Sequence, residues 1–434
     1  MQGRNESAKS FSTHDLIGRE KASEALTSIL TKFSRPLVIC VDGEWGVGKT
    51  HFIQLWMNDH AEAAGIKAIY VNAFEVDYQR DAFFSLASAI LSAAEQFGLS
   101  GEQVKARYVE AATKMAKLLL RSTINVGVRV ATAGIAGISE GDAVVDAIRE
   151  GVTSEVGAHL SEMLVAGAKR DQTISEFKNA LSAMAASLSE HEKLVVVVDE
   201  LDRCRPTFAI DMLEVLKHFF SVDGVSFVLC ASFDALSSGI EAIYGSGISG
   251  RKYLSRFVNY SIPMSAFDDD ASPGHIRRFV ESRWGALGLS QSYDLGELIE
   301  TTCEMALRTS ASLRDVERVI ESSAISFVLQ EKKGDCYEAL IVLFAFMKVK
   351  NYALAEKFSR KVLSIEEFEG WFGKLRADHP GDAGIKRPYG LILEYLRYGS
   401  GSIAHDDKLR RNRAGLEHNF RLVWSPWVRS QVWG

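Results

Sequence analysis

The chain has 434 residues, 47% of them hydrophobic and 24% charged, and a formal net charge of −6. That balance excludes a disordered or fibrous chain, leaves nucleic acid open as a partner, and allows two or three domains around a sizeable core. Cys40, Cys204, Cys230, Cys303 and Cys336 show no CxxC or Cys/His spacing, so neither a disulfide framework nor a zinc site is readable.

The first residues, Met1-Gln2-Gly3-Arg4-Asn5-Glu6, are polar and hold no apolar run ahead of a cleavage site, so a cytoplasmic location is expected. Residues 37–41 (Leu-Val-Ile-Cys-Val) read as a short buried strand. Gly43-Glu44-Trp45-Gly46-Val47-Gly48-Lys49-Thr50 follows it, then a helix from Thr50 through His51 to Asn58. A strand, a GxxxxGK[ST] loop and a helix in this order form a phosphate-binding loop, and the flanking elements argue against a chance glycine-rich turn. Glycines let successive N–H groups point at one polyphosphate, Lys49 reaches the β- and γ-phosphates, and the Thr50 hydroxyl can ligate Mg²⁺. Gly43, Glu44, Trp45, Gly46, Val47, Gly48, Lys49, Thr50 and His51 are the expected nucleotide contacts.

More chain separates Lys49 from Asp199 than one helix and one or two strands require, so a segment is inserted after the helix ending near Phe97. No proline occurs between Leu37 and Arg205, and Ala, Leu, Glu and Lys abound, which predicts a mainly helical insert over residues 100–190. Residues 122–139 fall short of the roughly 20 strongly apolar residues that a membrane-spanning helix needs. They contain Asn125, Arg129 and many small residues, and no second apolar segment completes a hairpin, so a soluble helical insert is favoured.

Leu194-Val-Val-Val-Val198 reads as a fully buried strand that ends in Asp199-Glu200-Leu201-Asp202-Arg203. A buried parallel strand delivers such carboxylates at the end where α/β sites form. Asp199 is expected to hold Mg²⁺ through water, and Glu200 to orient and deprotonate the attacking water. Asp202, Arg203 and Arg205 read either as a solvated salt-bridge cluster or as part of the site. A third strand, Val225–Ala231, leads to Ser232, which reads equally as a γ-phosphate sensor or as a helix cap.

Asp199-Glu-Leu-Asp-Arg-Cys-Arg-Pro206, the helix from Ala209 to Phe220, Gly224-Val-Ser-Phe-Val-Leu229 and Tyr253-Leu-Ser-Arg-Phe257 together resemble the KAP family of P-loop NTPases. The likeness extends to Asp15-Leu-Ile-Gly-Arg19 and to Tyr70-Val-Asn-Ala-Phe-Glu75, and departs from the family pattern at Phe74 and Ser232. It implies an AAA-like core of the additional-strand, catalytic-glutamate class, with the acidic strand beside the phosphate-loop strand. It also implies ATP as nucleotide and bacterial roles that include resistance to phage. By the same resemblance Ile17 and Gly18 touch adenine, Arg256 offers an arginine finger to a neighbouring subunit, and Arg314 is a second sensor. Read from the residues alone, a basic surface helix is the alternative for Arg256 and a solvated helical position the alternative for Arg314.

Beyond Asp268-Asp-Asp270 the chain turns helical, over Ile276–Trp284, Leu295–Leu307, Leu313–Leu329, Tyr337–Val349 and Ala353–Val362. The last residues are basic, with Lys408-Leu-Arg410-Arg-Asn-Arg413 near Trp424, Trp427 and Trp433, which fits nucleic acid by phosphate contact and stacking or a solvated face with anchoring tryptophans.

The expected architecture is α/β: a P-loop NTPase core of parallel sheet flanked by helices over residues 1–98 and 191–266. A helical insert follows over 99–190, a helical lid over 267–330 and a helical C-terminal extension over 331–434. The expected activity is Mg²⁺-dependent ATP hydrolysis by a homo-oligomeric motor driving a partner protein encoded nearby. A slow signalling or assembly switch and a membrane-associated scaffold are the alternatives.

Overall fold

The computed structural model describes residues 10–33, 35–79, 81–98, 101–132, 154–188, 193–219, 222–245, 247–265, 273–289, 293–328, 338–372, 383–398, 415–421 and 423. In chain order the longer elements are α1 (Glu20–Lys32), β1 (Val38–Asp42), α2 (Lys49–Trp56), β2 (Lys67–Asn72), α3 (Ala82–Gln96), α4 (Glu102–Thr132), α5 (Ser154–Leu188), β3 (Leu194–Asp199), α6 (Pro206–Phe219), β4 (Val225–Ala231), α7 (Phe233–Tyr244) and β5 (Tyr260–Pro263). They continue with α8 (Pro273–Ala286), α9 (Leu295–Arg308), α10 (Leu313–Val328), α11 (Glu338–Lys350), α12 (Tyr352–Ser359), α13 (Ile365–Phe372) and α14 (Ala383–Tyr398). Two compact units divide the chain, one of residues 22–42 and 53–263, the other of residues 1–21, 43–52 and 264–434.

The first unit is built on a five-stranded sheet in the order β2-β3-β4-β1-β5, parallel at every pairing. Its interior strands are continuous apolar runs: every residue of β3 and of β4 is buried, as helices on both faces of a parallel sheet require. The acidic strand β3 is therefore not beside the phosphate-loop strand β1, as expected from the resemblance; β4 lies between them. The physical reason lies in β4 itself, whose seven buried residues need a paired strand on each side. The short β5, with Tyr260 and Pro263 exposed, takes the edge.

Register aligns the carboxyl ends of the strands. Asn72 pairs with Asp199, Asp199 with Cys230, and Asp42 with both Ala231 and Pro263. Functional side chains of open α/β sheets gather at this edge.

The described parts of the insert are the long helices α4 and α5. Their packing on the sheet layer runs through a buried aromatic cluster: Phe177 lies 5.2 Å from Phe83, 4.9 Å from Phe219 and 5.8 Å from Tyr108, centroid to centroid. The Tyr108 hydroxyl donates to the Ala87 carbonyl at 3.0 Å, which satisfies its polar end inside this core. Of the weighed membrane segment, residues 122–132 belong to α4 and residues 133–139 lie outside the described residues. No helix among the described residues is long and apolar enough to cross a membrane. The helix after the phosphate loop ends as regular α at Trp56 and continues as a π turn over Met57–Ala61. Trp56 is fully buried and donates from Nε1 to Thr27 at 2.9 Å.

The second unit contains helices α8 to α14 around α11. That helix is buried from Ala339 to Lys348, as its lack of a polar face predicts. Buried Lys348 donates from Nζ to the Val423 carbonyl at 2.7 Å. Within this core Trp284 and Tyr293 pack on Phe327, and Phe344, Phe358 and Phe420 pack on one another. The expected lid and extension thus share one apolar core. The acidic linker Asp268–Asp270, the basic cluster 408–413 and Trp424, Trp427 and Trp433 lie outside the described residues.

Candidate nucleotide site

In the second unit the phosphate loop opens directly into α2 at Lys49. Gly46 and Gly48 hold φ of +84° and +90°, a region that side-chain-bearing residues enter only at a cost. Space as well as conformation demands glycine here. A Cβ on Gly46 would stand 2.8 Å from both Ser312 Oγ and Arg314 Cβ, and one on Gly43 2.4 Å from the Met264 carbonyl oxygen. Lys49 is buried, and its ammonium donates to the carbonyls of Gly43 at 2.6 Å and Glu44 at 3.1 Å. Val47 anchors the loop as a buried side chain, whereas Glu44, Trp45 and His51 are exposed and Thr50 is half-buried.

Two helical segments brace this loop. The Arg314 N–H, at the start of α10, donates to the Gly46 carbonyl at 3.2 Å, while the Arg314 side chain is exposed. Arg19 is buried, with its guanidinium donating to the Ser265 carbonyl at 2.7 Å and to the Gly48 carbonyl at 3.4 Å. Ahead of Arg19, the Asp15 carboxylate accepts from the N–H groups of Ile17 (3.2 Å), Gly18 (2.9 Å), Arg19 (2.5 Å) and Glu20 (3.1 Å). One acidic side chain thereby orders the whole Ile17–Gly18 segment and neutralises N–H groups at the start of α1.

The sheet unit carries the acidic strand end. Asp199 is 1% exposed. Its Oδ2 accepts from the Tyr70 hydroxyl at 2.8 Å and its Oδ1 from the Glu200 N–H at 2.8 Å. Burial, and then the adjacent Asp199 carboxylate, raise the Tyr70 pKa, so the phenol stays protonated and keeps donating. Glu200 adopts φ 59°, ψ 25°, a left-handed conformation that costs a residue other than glycine about 1–2 kcal/mol. That conformation turns its carboxylate toward Arg203, 2.7 Å away, and Asn72, whose amide donates at 3.3 Å.

The charged residues after Glu200 go to separate partners instead of forming one cluster. Asp202 accepts from the Ser232 N–H at 2.7 Å, Arg203 pairs with Glu200, and Arg205 binds Asp77 through its side chain and its backbone N–H. The Arg205 hydrogen bonds hold the Asp77 carboxyl below its usual range. Cys204, next to them, has its thiol pushed up to about 12 by burial and then by nearby Asp77, which holds it in the protonated form. Ser232 caps α7, its Oγ accepting from the Ala235 N–H at 3.3 Å. Arg256 is exposed in the turn after the short helix Gly250–Leu254.

Tyr70, Asn72, Asp77, Arg19 and Asp15 were not singled out from the sequence as site residues. The signal available for the first three was their place at or just after the end of β2, where Asn72 pairs with Asp199. Among the described residues no group of three or more His, Cys, Asp and Glu side chains is placed to hold a metal ion. Buried Asp199, with both oxygens already accepting, fits a cation carried mainly by phosphates and water, as Mg²⁺ is. The positive-φ loop, crowded where a Cβ would stand, fits a polyphosphate cradled by backbone N–H groups.

No curated protein matches this chain. Among solved structures, a chain from the structure of Drosophila ORC bound to DNA matches at 12% identity and a TM-score of 0.30, over 94% of this chain and 81% of that one. A family model described as the KAP family P-loop domain matches residues 19–325, and the chain therefore belongs to the KAP family of P-loop NTPases.

Proposed function

We propose that the protein binds ATP with Mg²⁺ and hydrolyses it, the phosphate loop cradling the polyphosphate and the acidic strand end supplying Asp199 and Glu200. The observation that carries the reading is the backbone of Gly46 and Gly48, held at positive φ at the mouth of α2. Motif order and family membership support the roles given to Asp199 and Glu200. Bound Mg²⁺ would neutralise charge on the phosphates. Lys49 would leave the Gly43 and Glu44 carbonyls for the β- and γ-phosphates, and Thr50 and Asp199 would hold the metal, the latter through water. Glu200 takes a proton from the attacking water as its oxygen bonds to the γ-phosphorus and the bond to the β-γ bridging oxygen breaks, giving ADP and inorganic phosphate. Ile17 and Gly18 contact adenine, Arg314 and Ser232 sense the γ-phosphate, and Arg256 acts on a neighbouring subunit of a homo-oligomer. The resemblance further supports an energy-using role in a bacterial defence system with a separately encoded partner.

A second reading, the slow switch, is favoured by the state of Glu200. Both of its carboxylate oxygens are engaged, by Arg203 and by Asn72, so these partners set its orientation, and turning it toward an attacking water would gate turnover. A motor of this chemistry turns over at about 1–100 per second and a gated switch far more slowly.

Steady-state ATP hydrolysis by wild type, Lys49→Ala and Glu200→Gln, with light-scattering mass with and without ATP and Mg²⁺, tests the proposal. Expected are lost binding in Lys49→Ala, retained binding with lost turnover in Glu200→Gln, and assembly that depends on nucleotide. Normal turnover by Glu200→Gln refutes the role given to that residue. Absence of ATP binding in wild type refutes the whole.

A further inference from the structure

We propose that His275 reads the base, its Nδ1 accepting a hydrogen bond from the 6-amino group of adenine, and thereby sets ATP above GTP. The inference rests on the nucleotide site proposed above and on Ile17 and Gly18 lying against the base.

Three observations within the second unit lead there. Gly18 holds φ +78°, and the edge of the His275 ring is pressed onto it. A Cβ at Gly18 would stand 2.2 Å from His275 Cε1, 2.7 Å from Nδ1 and 2.8 Å from Nε2, so glycine is what admits the ring. Second, His275 Nδ1 is buried and has no hydrogen-bond partner among the described residues. Buried polar atoms of a folded protein are paired, and an orphan beside a candidate ligand segment calls for a partner that the ligand brings. Third, the segment beneath the ring is fixed. The Asp15 carboxylate holds four consecutive N–H groups, and Arg19 ties the segment to the Gly48 carbonyl of the phosphate loop.

The chemistry chooses between bases. In a neutral imidazole one nitrogen donates and the other accepts. A stranded N–H is rarer in proteins than a stranded acceptor, so the proton belongs on Nε2 and the lone pair on the buried Nδ1. Adenine presents an amino donor at its 6-position, where guanine presents a carbonyl acceptor. A lone pair facing that position pairs with the first and opposes the second, and rejection through an unmatched polar atom is the strong form of specificity.

Full-length wild type, His275→Ala, His275→Gln and Lys49→Ala are titrated by calorimetry, in Mg²⁺, with ATP, GTP and purine riboside 5′-triphosphate, which lacks the 6-amino group. Wild type is expected to prefer ATP to the purine riboside analogue about tenfold, the size of one net hydrogen bond. In His275→Ala that ratio falls to about one through weaker ATP binding, while His275→Gln, which keeps an acceptor, retains part of it. Thermal melts report whether each variant folds, and the glutamine variant serves if alanine does not. An unchanged ratio in a folded variant without the acceptor, or a glutamine variant that prefers the analogue, overturns the role of His275. The nucleotide site survives that result if Lys49→Ala still abolishes binding of all three. Failure of wild type to bind any of them ends both readings.

Discussion

Tyr70→Phe removes one oxygen and leaves the ring in place. The lost group is the donor to Asp199 Oδ2 at 2.8 Å, and that carboxylate is 1% exposed. A hydrogen bond to a buried charge contributes about 1.5–3 kcal/mol, and Tyr70 is only half-buried, so water recovers part of the loss. We take about 2 kcal/mol, which lowers the melting temperature of a unit this size by about 4–8 °C. The pH dependence follows from the direction of the Tyr70 shift. Burial and Asp199 raise its folded pKa above the unfolded value of about 10. The folded state therefore binds the proton more tightly, the contribution is complete below pH 10, and it is lost as pH rises beyond that. The loss is at most about 1.4 kcal/mol per pH unit, less for a part-exposed phenol that solvent screens. Paired thermal melts of wild type and Tyr70→Phe from pH 8 to 11 should show a constant gap up to about pH 10 and a narrowing gap above it. Subtracting the two cancels buried Tyr108, whose pKa burial also raises. A variant as stable as wild type at pH 8, or a gap that widens above pH 10, refutes this account.

Asp15→Ala should cost about 1–2 kcal/mol of the stability of the second unit, the upper part of the range for a capping residue, because four N–H groups lose one acceptor. Asp15→Asn, which keeps one carbonyl oxygen, should fall between, and denaturant titration reads both. The Asp77 carboxyl, held low by hydrogen bonds from Arg205, contributes stability above its unfolded pKa of about 3.9 that is lost as pH falls through the lower folded value. Melting temperatures of wild type and Asp77→Asn should therefore differ at pH 6 and converge below pH 3, and a difference that persists at pH 2 counts against the ion pair.

Much of the site was legible locally. Gly43 to Thr50 and Val195 to Glu200 are contiguous stretches whose glycines, β-branched residues and terminal carboxylates each carry their own conformational demand, and such demands survive without knowing what the segments pack against. Helicity of the described parts of the insert was legible for a similar reason, since the absence of proline is a statement about every residue in the run. The strand β5 was not, because Tyr260-Ser-Ile-Pro263 has four residues, one buried, and ends in a residue that cannot extend the ladder.

What only the tertiary structure decided are the pairings between distant segments. Tyr70 meets Asp199 from 129 positions away and Asn72 meets Glu200 from 128, because β2 lies in register beside β3, and Asp77 meets Arg205 from 128 in the segments that follow those strands. Register is a property of two strands and the layers that cover them, and a one-residue slip of β2 would turn Tyr70 and Asn72 to the other face. The slot of β4 between β1 and β3 and the meeting of His275 with Gly18 are of the same kind. The phosphate loop and the acidic strand end are written in single segments, whereas the groups that orient them belong to the packing of segments the chain itself keeps far apart.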